Sequence, residues 1–421
     1  MTFDTIIIGG GLSGLTAGIA LQQAGQRVAI AASGPGTLNY FSGSFDLLGY
    51  DSDGHILSHP LEGIPHLSPN HPYSKIGAER VAALAEEARN LLVQAGIALK
   101  GGDSNHYRIT PMGVVKPAWL SMDECLTVES PSSVPYAKIL LVNISGFLDF
   151  PVEFIRAGLG QMGADVSEAT LSVNELHTRH KSPYETRATS IARLMANDEV
   201  LQEFADNLQS QISDNIPQAI VLPAVFGLTS DTTLRKLREL VNIPLYVIAT
   251  MPPSLLGVRV QTQLRNHFTK LGGQIFHEAK VTSGIVHGGE VLGIATGYSE
   301  KVDAGSYILA TGSFQSHGLI AGYRKVSEPI FNLDVEAPAG SMPLVAGGKP
   351  EGVSSFFSPQ PYMQTGVKTD NAFHPYSNGQ HVCNLYAVGS VLGGHDTLHQ
   401  ADGTGVSLLT ALAAAKDIVT Q

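Results

Sequence analysis

Apolar residues recur along this chain in two rhythms. Short unbroken runs such as Thr5-Ile6-Ile7-Ile8, Lys138-Ile139-Leu140-Leu141-Val142, Ala219-Ile220-Val221-Leu222-Pro223, Leu245-Tyr246-Val247-Ile248 and Tyr307-Ile308-Leu309-Ala310 predict buried strands. Between them lie longer stretches, most of them closed by glycine, as helix ends commonly are. They predict helices over Leu15 to Ala24, Ala78 to Ala95, Val152 to Met162 and Gly257 to Leu271. The second of these sets Val81, Leu84, Leu91 and Leu92 along one side. Further helices are predicted at Arg187–Leu194, Leu201–Ile212, Thr232–Leu240 and Val406–Ile418, and further strands at Arg27–Ile30 and Gln274–His277. Val281 to Gly297 alternates between glycine-rich turns, as hairpin strands do. Asp51 to Tyr73, rich in Pro, His, Ser and Gly, reads as a long excursion. Alternation of strand and helix predicts an α/β fold with a largely parallel sheet.

Three glycine-bearing elements punctuate that pattern. The first, Gly9-Gly10-Gly11-Leu12-Ser13-Gly14, lies between an apolar strand and a glycine-terminated helix, the dinucleotide-binding arrangement. There Gly9 makes the tight turn, Gly11 admits a phosphate to the backbone, and Gly14 lets helix pack on strand. The second is Ala310-Thr311-Gly312 at a strand end, and the third is Ala387-Val388-Gly389-Ser390, followed by Gly393-Gly394-His395-Asp396 and Gly403-Thr404-Gly405. The amide-rich start of that last helix suits the carbonyl end of a flavin ring, which gains negative charge on reduction. The elements lie at the start, about two-thirds along, and at the end of the chain. They predict a Rossmann-like flavin-binding domain, 1–50 with 255–315 and 380–421, interrupted by an α/β cap domain over 100–254. Segments 51–99 and 316–379 are connecting or cap-associated.

Composition narrows the class. Among 421 residues, 26 Lys and Arg against 37 Asp and Glu give a formal net charge of −11, without a basic block. A nucleic-acid groove and direct docking on anionic lipid are therefore not expected. Thr5 to Gln26 carries no charge, but glycine breaks it repeatedly and only Asp4 is charged before it, unlike a signal peptide or a spanning helix of about 20 apolar residues. A cytoplasmic protein is the expectation. Cys125 and Cys383 are the only cysteines, too few for an iron–sulfur cluster held by four thiolates.

Several longer segments resemble one family closely and over nearly the full length: the B subunits of anaerobic glycerol-3-phosphate dehydrogenase. They include Ser42-Gly43-Ser44-Phe45-Asp46-Leu47-Leu48, His71-Pro72-Tyr73-Ser74, Arg108-Ile109-Thr110-Pro111-Met112-Gly113 and Ile144-Ser145-Gly146-Phe147-Leu148-Asp149-Phe150. Pro252-Pro253-Ser254-Leu255-Leu256-Gly257-Val258-Arg259 and Val388-Gly389-Ser390-Val391-Leu392-Gly393-Gly394 complete the set. The resemblance implies oxidation of sn-glycerol 3-phosphate to dihydroxyacetone phosphate, with electrons passed to quinone. It also implies an FMN-bearing chain working with a separate flavoprotein, the family's A subunit, and with a membrane-associated iron–sulfur protein, its C subunit. On that view the chain is peripheral on the cytoplasmic face of the inner membrane, reached through a partner. The competing readings are a stand-alone fumarate-reductase-like flavin oxidoreductase acting on a small anion, and a docking or electron-relay protein without catalysis of its own.

The residues favour FMN over FAD for a separate reason. Dinucleotide sites end the second strand in an acidic residue that bonds the adenosine ribose. Here that place falls at about Ala32, and Ser33 offers only a weaker contact. Expected cofactor contacts are Gly9, Gly11, Gly14, Ser33, Ser42, Gly43, Ser44, Gly312, Gly389, Gly403 and Gly405. Arg259, with Arg265 on the same helix, is a candidate for an anionic substrate. His395 is a candidate base for the hydroxyl proton. Pairs such as His395 with His399, or His177 with His180, have no evident further ligand beyond Asp396, and no metal is expected.

Overall fold

The computed structural model describes residues 3–34, 36–179, 186–212, 216–297, 299–322, 325–338 and 360–421. The chain forms two compact units: Met1–Thr37 with Asp46–Gly96 and Leu264–Gln421, and Leu38–Phe45 with Ile97–Gln263.

The first unit is built on five parallel strands, ordered Gln274–His277, Val28–Ala32, Phe3–Ile8, Ala304–Leu309 and Leu385–Ala387. By chain position the order is third, second, first, fourth, fifth. The order therefore reverses direction at Phe3–Ile8, and ligands of such sheets bind beyond the carboxyl ends of the strands at that reversal. Ile7, Ile30, Ile308 and Tyr386 are fully buried, as expected for strands covered on both faces. Helix Leu12–Gln23 packs against the C-terminal helix Gly403–Thr420. Both are rich in small apolar residues and buried nearly all round, which is why neither shows an amphipathic pattern in sequence. Helix Ala78–Gln94 also lies on the C-terminal helix, with Glu87 and Lys416 paired at 2.8 Å. The segment read as a long excursion ends in buried structure: His71 and Tyr73 are 0% exposed, and Tyr73 Oη donates to the Leu47 carbonyl at 2.8 Å.

The second unit contains the expected parallel sheet, ordered Leu245–Ile248, Ala219–Pro223, Lys138–Ile144 and Asp165–Leu171. The last strand is a mostly exposed edge of sequence DVSEATL, and its polarity hides it from an apolar-run reading. A second, antiparallel sheet joins Ser44–Phe45, Val115–Met122, Leu99–Ile109 and Thr127–Val128. Its longest strand reads LKGGDSNHYRI, and its pairing slips between Gly101 and His106, which breaks the two-residue period.

Candidate functional site

In the first unit the three glycine elements meet at the carboxyl ends of neighbouring strands. Gly9 has φ +118°, and a Cβ there would run into the Ala310 carbonyl at the end of the fourth strand. Gly389, at the end of the fifth, abuts Ser13 of the glycine loop and donates its N–H to Thr410 Oγ1 at 2.9 Å. Gly14 is pressed against the carbonyl of Gly9, and Gly312 lies beside Ser316 and Ser390. Gly11 differs from all of these, because a Cβ placed there meets nothing within 4 Å. Helix Leu12–Gln23 begins at Gly11 with no side-chain cap. Its first amides and its dipole therefore face open space, a cradle for an anion. Ser33, just past the second strand, is exposed.

One cation stands by this loop. Arg265, on helix Leu255–Lys270, brings Nη2 within 3.9 Å of a Cβ built on Gly10. Its Nε is buried without a partner, and among the described residues its guanidinium makes no ion pair. Burial pulls its pKa down, and among the described residues no carboxylate opposes that shift.

A second cluster lies at the start of the C-terminal helix. Asp402 occupies the N-cap position before Gly403, yet its side chain does not cap the helix. It accepts instead from His71 Nε2 at 2.9 Å and from His395 Nδ1 at 3.2 Å. His71 Nδ1 accepts the Tyr73 N–H at 3.1 Å, so its one proton sits on Nε2 and the ring is neutral. Burial lowers the His71 pKa in agreement, against the opposing pull of Asp402. For Asp402 itself, burial acts to raise the pKa, but the charge and hydrogen bond of His395, with those of His71, outweigh it and hold the group well below the carboxylate range. His395, 3% exposed, therefore has Nδ1–H fixed on a carboxylate, while Nε2 has no partner among the described residues. That is the orientation of a general base. Because Asp402 is turned away, the Gly403 and Thr404 amides are left uncapped. Gly405 is otherwise engaged: its N–H donates to the Asp46 carbonyl at 2.7 Å, and it packs under the Tyr73 hydroxyl. The expectation that Gly405 contacts a cofactor is corrected accordingly; it is a packing glycine.

The remaining candidates lie in the second unit. Gly43 is close-packed, since a Cβ there would stand 2.7 Å from Cys125 Sγ and from Leu256. Ser42 is half-buried, and Ser44 Oγ pairs with Ser121 Oγ at 2.7 Å, which pairs in turn with His106 Nε2 at 2.6 Å. Burial, aided by the charges of Lys100 and Arg108, pushes the His106 pKa down to about 4. Arg259 is 1% exposed; its Nη1 donates to both Glu124 oxygens at 2.7 Å, Nε to Gly227 O and Nη2 to Phe226 O. The expected substrate contact by Arg259 is therefore corrected: a buried carboxylate and two carbonyls already take its donors.

His395 is held by Asp402, whereas His399 pairs with Asp396, the cap of helix Thr397–Gln400. His180 lies outside the described residues, as does the side chain of His177. Sequence reading missed Asp402 and His71. The available signal was an Asp directly before Gly403-Thr404-Gly405, which reads as an ordinary helix cap.

A family model described as "FAD binding domain" matches residues 4–406. The B subunit of anaerobic glycerol-3-phosphate dehydrogenase from Yersinia enterocolitica is 39% identical over 430 residues, covering 100% of this chain and 99% of its own. The proteins of the same name from Pectobacterium carotovorum and Pasteurella multocida are 36% and 35% identical, covering 100% and 99% of this chain and 99% of their own lengths. Among solved structures, a 3-ketosteroid dehydrogenase of Rhodococcus jostii aligns over 100% of this chain and 97% of its own, with 12% identity and a TM-score of 0.44.

Proposed function

The chain belongs to the family of anaerobic glycerol-3-phosphate dehydrogenase B subunits, with an FAD-binding-type domain, and on that premise we propose that it is the flavin-dependent component of such an oxidoreductase. The reaction is oxidation of sn-glycerol 3-phosphate to dihydroxyacetone phosphate with quinone as acceptor. The first unit fits a flavin: Gly11 opens on free space, the helix behind it is uncapped, and the start of the C-terminal helix presents the amides of Gly403 and Thr404. Gly9, Gly14, Gly312 and Gly389 shape that cradle, and Ser33 remains a contact proposed from sequence; Ser42, Gly43 and Ser44, expected from sequence as flavin contacts, belong to the second unit, where the Ser44 hydroxyl is paired with Ser121. When bound, the flavin supplies the two-electron acceptor for the carbinol hydride.

The observation that carries the catalytic reading is His395, locked by Asp402 with Nε2 open. Nε2 takes the substrate hydroxyl proton, and Asp402 stabilises the imidazolium that results. A carboxylate kept ionised by two histidines is suited to that task.

The family model points directly to FAD. We favour FMN because the second strand ends at Ala32, where a ribose-binding carboxylate would stand. Release of the cofactor by heat and its chromatography decide between them; stoichiometric FAD overturns the FMN reading. Gly11→Val fills the open cradle and is expected to give a folded, colourless protein. Full flavin occupancy in that variant would sink the placement.

The chain works with two partners, a separate flavoprotein and an iron–sulfur protein, and it reaches the membrane through them. Two cysteines cannot hold a cluster, and no described helix is long and apolar enough to cross a bilayer. Glycerol-3-phosphate:quinone turnover is expected only after all three chains are mixed. Rapid turnover by this chain alone contradicts the complex.

A further inference from the structure

Arg265, half-buried, has no counter-charge among the described residues. Its Nη2 reaches the glycine loop, 3.9 Å from a Cβ built on Gly10. The same built Cβ lies 2.8 Å from Cβ of Ala32, so the guanidinium, the loop and the end of the second strand share one spot. Nε is buried with no acceptor, and burial alone accounts for the depression of its pKa. A guanidinium donates and never accepts, so only an acceptor-rich group satisfies it. Uncapped amides of helix Leu12–Gln23 face the same acceptor requirement.

An adenosine ribose does not meet those requirements well. It needs an acceptor for its hydroxyls, and Ala32 offers none. A phosphate monoester meets them all: it carries about −1.5 to −2 charges at neutral pH and three acceptor oxygens. The phosphates of a pyrophosphate bridge carry less charge each and lead onward to a ribose. We infer that Arg265 is the residue that receives the terminal phosphate of flavin mononucleotide, and that it thereby selects FMN over FAD at the glycine loop. The inference rests on the flavin reading above and adds to it a specificity-determining residue.

The discriminating experiment titrates apoprotein with riboflavin, FMN and FAD, following quenching of flavin fluorescence. Wild type, Arg265→Ala and Arg265→Lys are compared, with a thermal melt to confirm that each is folded. Loss of one charge-assisted contact of roughly 1.5–3 kcal/mol corresponds to a fall in FMN affinity of about 10- to 100-fold in Arg265→Ala. Riboflavin affinity should not change, and Arg265→Lys should fall between. Wild-type FMN affinity should weaken as pH drops below about 6, where the monoester gains its second proton, and that dependence should flatten in Arg265→Ala.

The ways to fail are separable. If wild type prefers FMN but Arg265→Ala keeps the wild-type ratio of FMN to riboflavin affinity, the role of Arg265 is overturned and the FMN reading stands. Equal losses for FMN and FAD overturn the assignment to a terminal phosphate. A wild type that binds FAD more tightly than FMN overturns the reading beneath both.

Discussion

Two buried carboxylates, Glu124 in the second unit and Asp402 in the first, are treated in opposite ways. Glu124 in the second unit faces Arg259, whose remaining donors go to backbone carbonyls; burial raises the Glu124 pKa even against that cation. Asp402 in the first unit faces two histidines, and its pKa is lowered in spite of burial. The Glu124 pair is closed, because every strong donor near it already has an acceptor. The Asp402 cluster is open, among the described residues, at one atom, His395 Nε2. Burial and charge alone do not tell the two apart; an unused valence does. Arg259 and Arg265 repeat the lesson on one helix, the former saturated and the latter without a partner among the described residues.

The strongest way to break this comparison is to remove Arg259. Arg259→Leu leaves Glu124 buried and unpaired, and stability should fall by about 3–5 kcal/mol in a denaturant melt. Replacing Glu124 and Arg259 together by apolar residues should recover most of that loss. A single variant that melts normally but raises KM for glycerol 3-phosphate would return Arg259 to the substrate site.

Next in size is a pH effect in the second unit. The folded pKa of His106 is about 4, below the unfolded value of about 6.5. Above 6.5 both states are neutral. As pH falls from 6.5 towards 4 the unfolded state takes a proton that the native state refuses, so stability declines, by about 3 kcal/mol at most. His71 shifts in the same direction in the first unit. His106→Gln should flatten the acid limb of a stability profile, provided the variant is compared with wild type at equal ionic strength. An unchanged limb assigns the acid sensitivity elsewhere.

Asp402→Asn tests the open cluster. It preserves shape but removes the charge that orients His395, and turnover of the assembled complex should fall about 100-fold with the flavin retained. His395→Gln should be similar, and the double variant little worse than either, because the two residues act as a unit. Near-normal turnover in both single variants moves the alcohol oxidation to a partner chain.

The smallest contrast is chemical. Cys125 is buried and its pKa is pushed up to about 12 by burial and by Glu124, whereas Cys383 is exposed. A thiol reagent should therefore modify Cys383 rapidly and Cys125 only after unfolding. Equal rates in native protein would show that the core around Cys125 opens.

Much of the fold was legible in local pattern, and the reason is period. Ala219–Pro223, Leu245–Ile248 and Gln274–His277 are unbroken strands whose limits the structure repeats. Helix boundaries moved by only a few residues; Leu15 to Ala24, for example, became Leu12–Gln23. Asp165–Leu171 and Leu99–Ile109 escaped because an exposed edge and a slipped register leave no periodic signal.

The sequence by itself determined the glycine loop between strand and helix, the family, the missing carboxylate at Ala32, and a cysteine count too low for an iron–sulfur cluster. Those are local or compositional properties, and each survives without knowledge of what lies across the core. Only the tertiary structure decided which polar groups are spent. Asp402 stands 331 residues from His71 in sequence, and Arg259 stands 135 from Glu124. No spacing rule reaches across such separations. Hydrogen-bonding valence is settled when the chain folds back on itself, and so the saturated Arg259, the engaged Gly405, the oriented His395 and Arg265, unpaired among the described residues, became distinguishable only there.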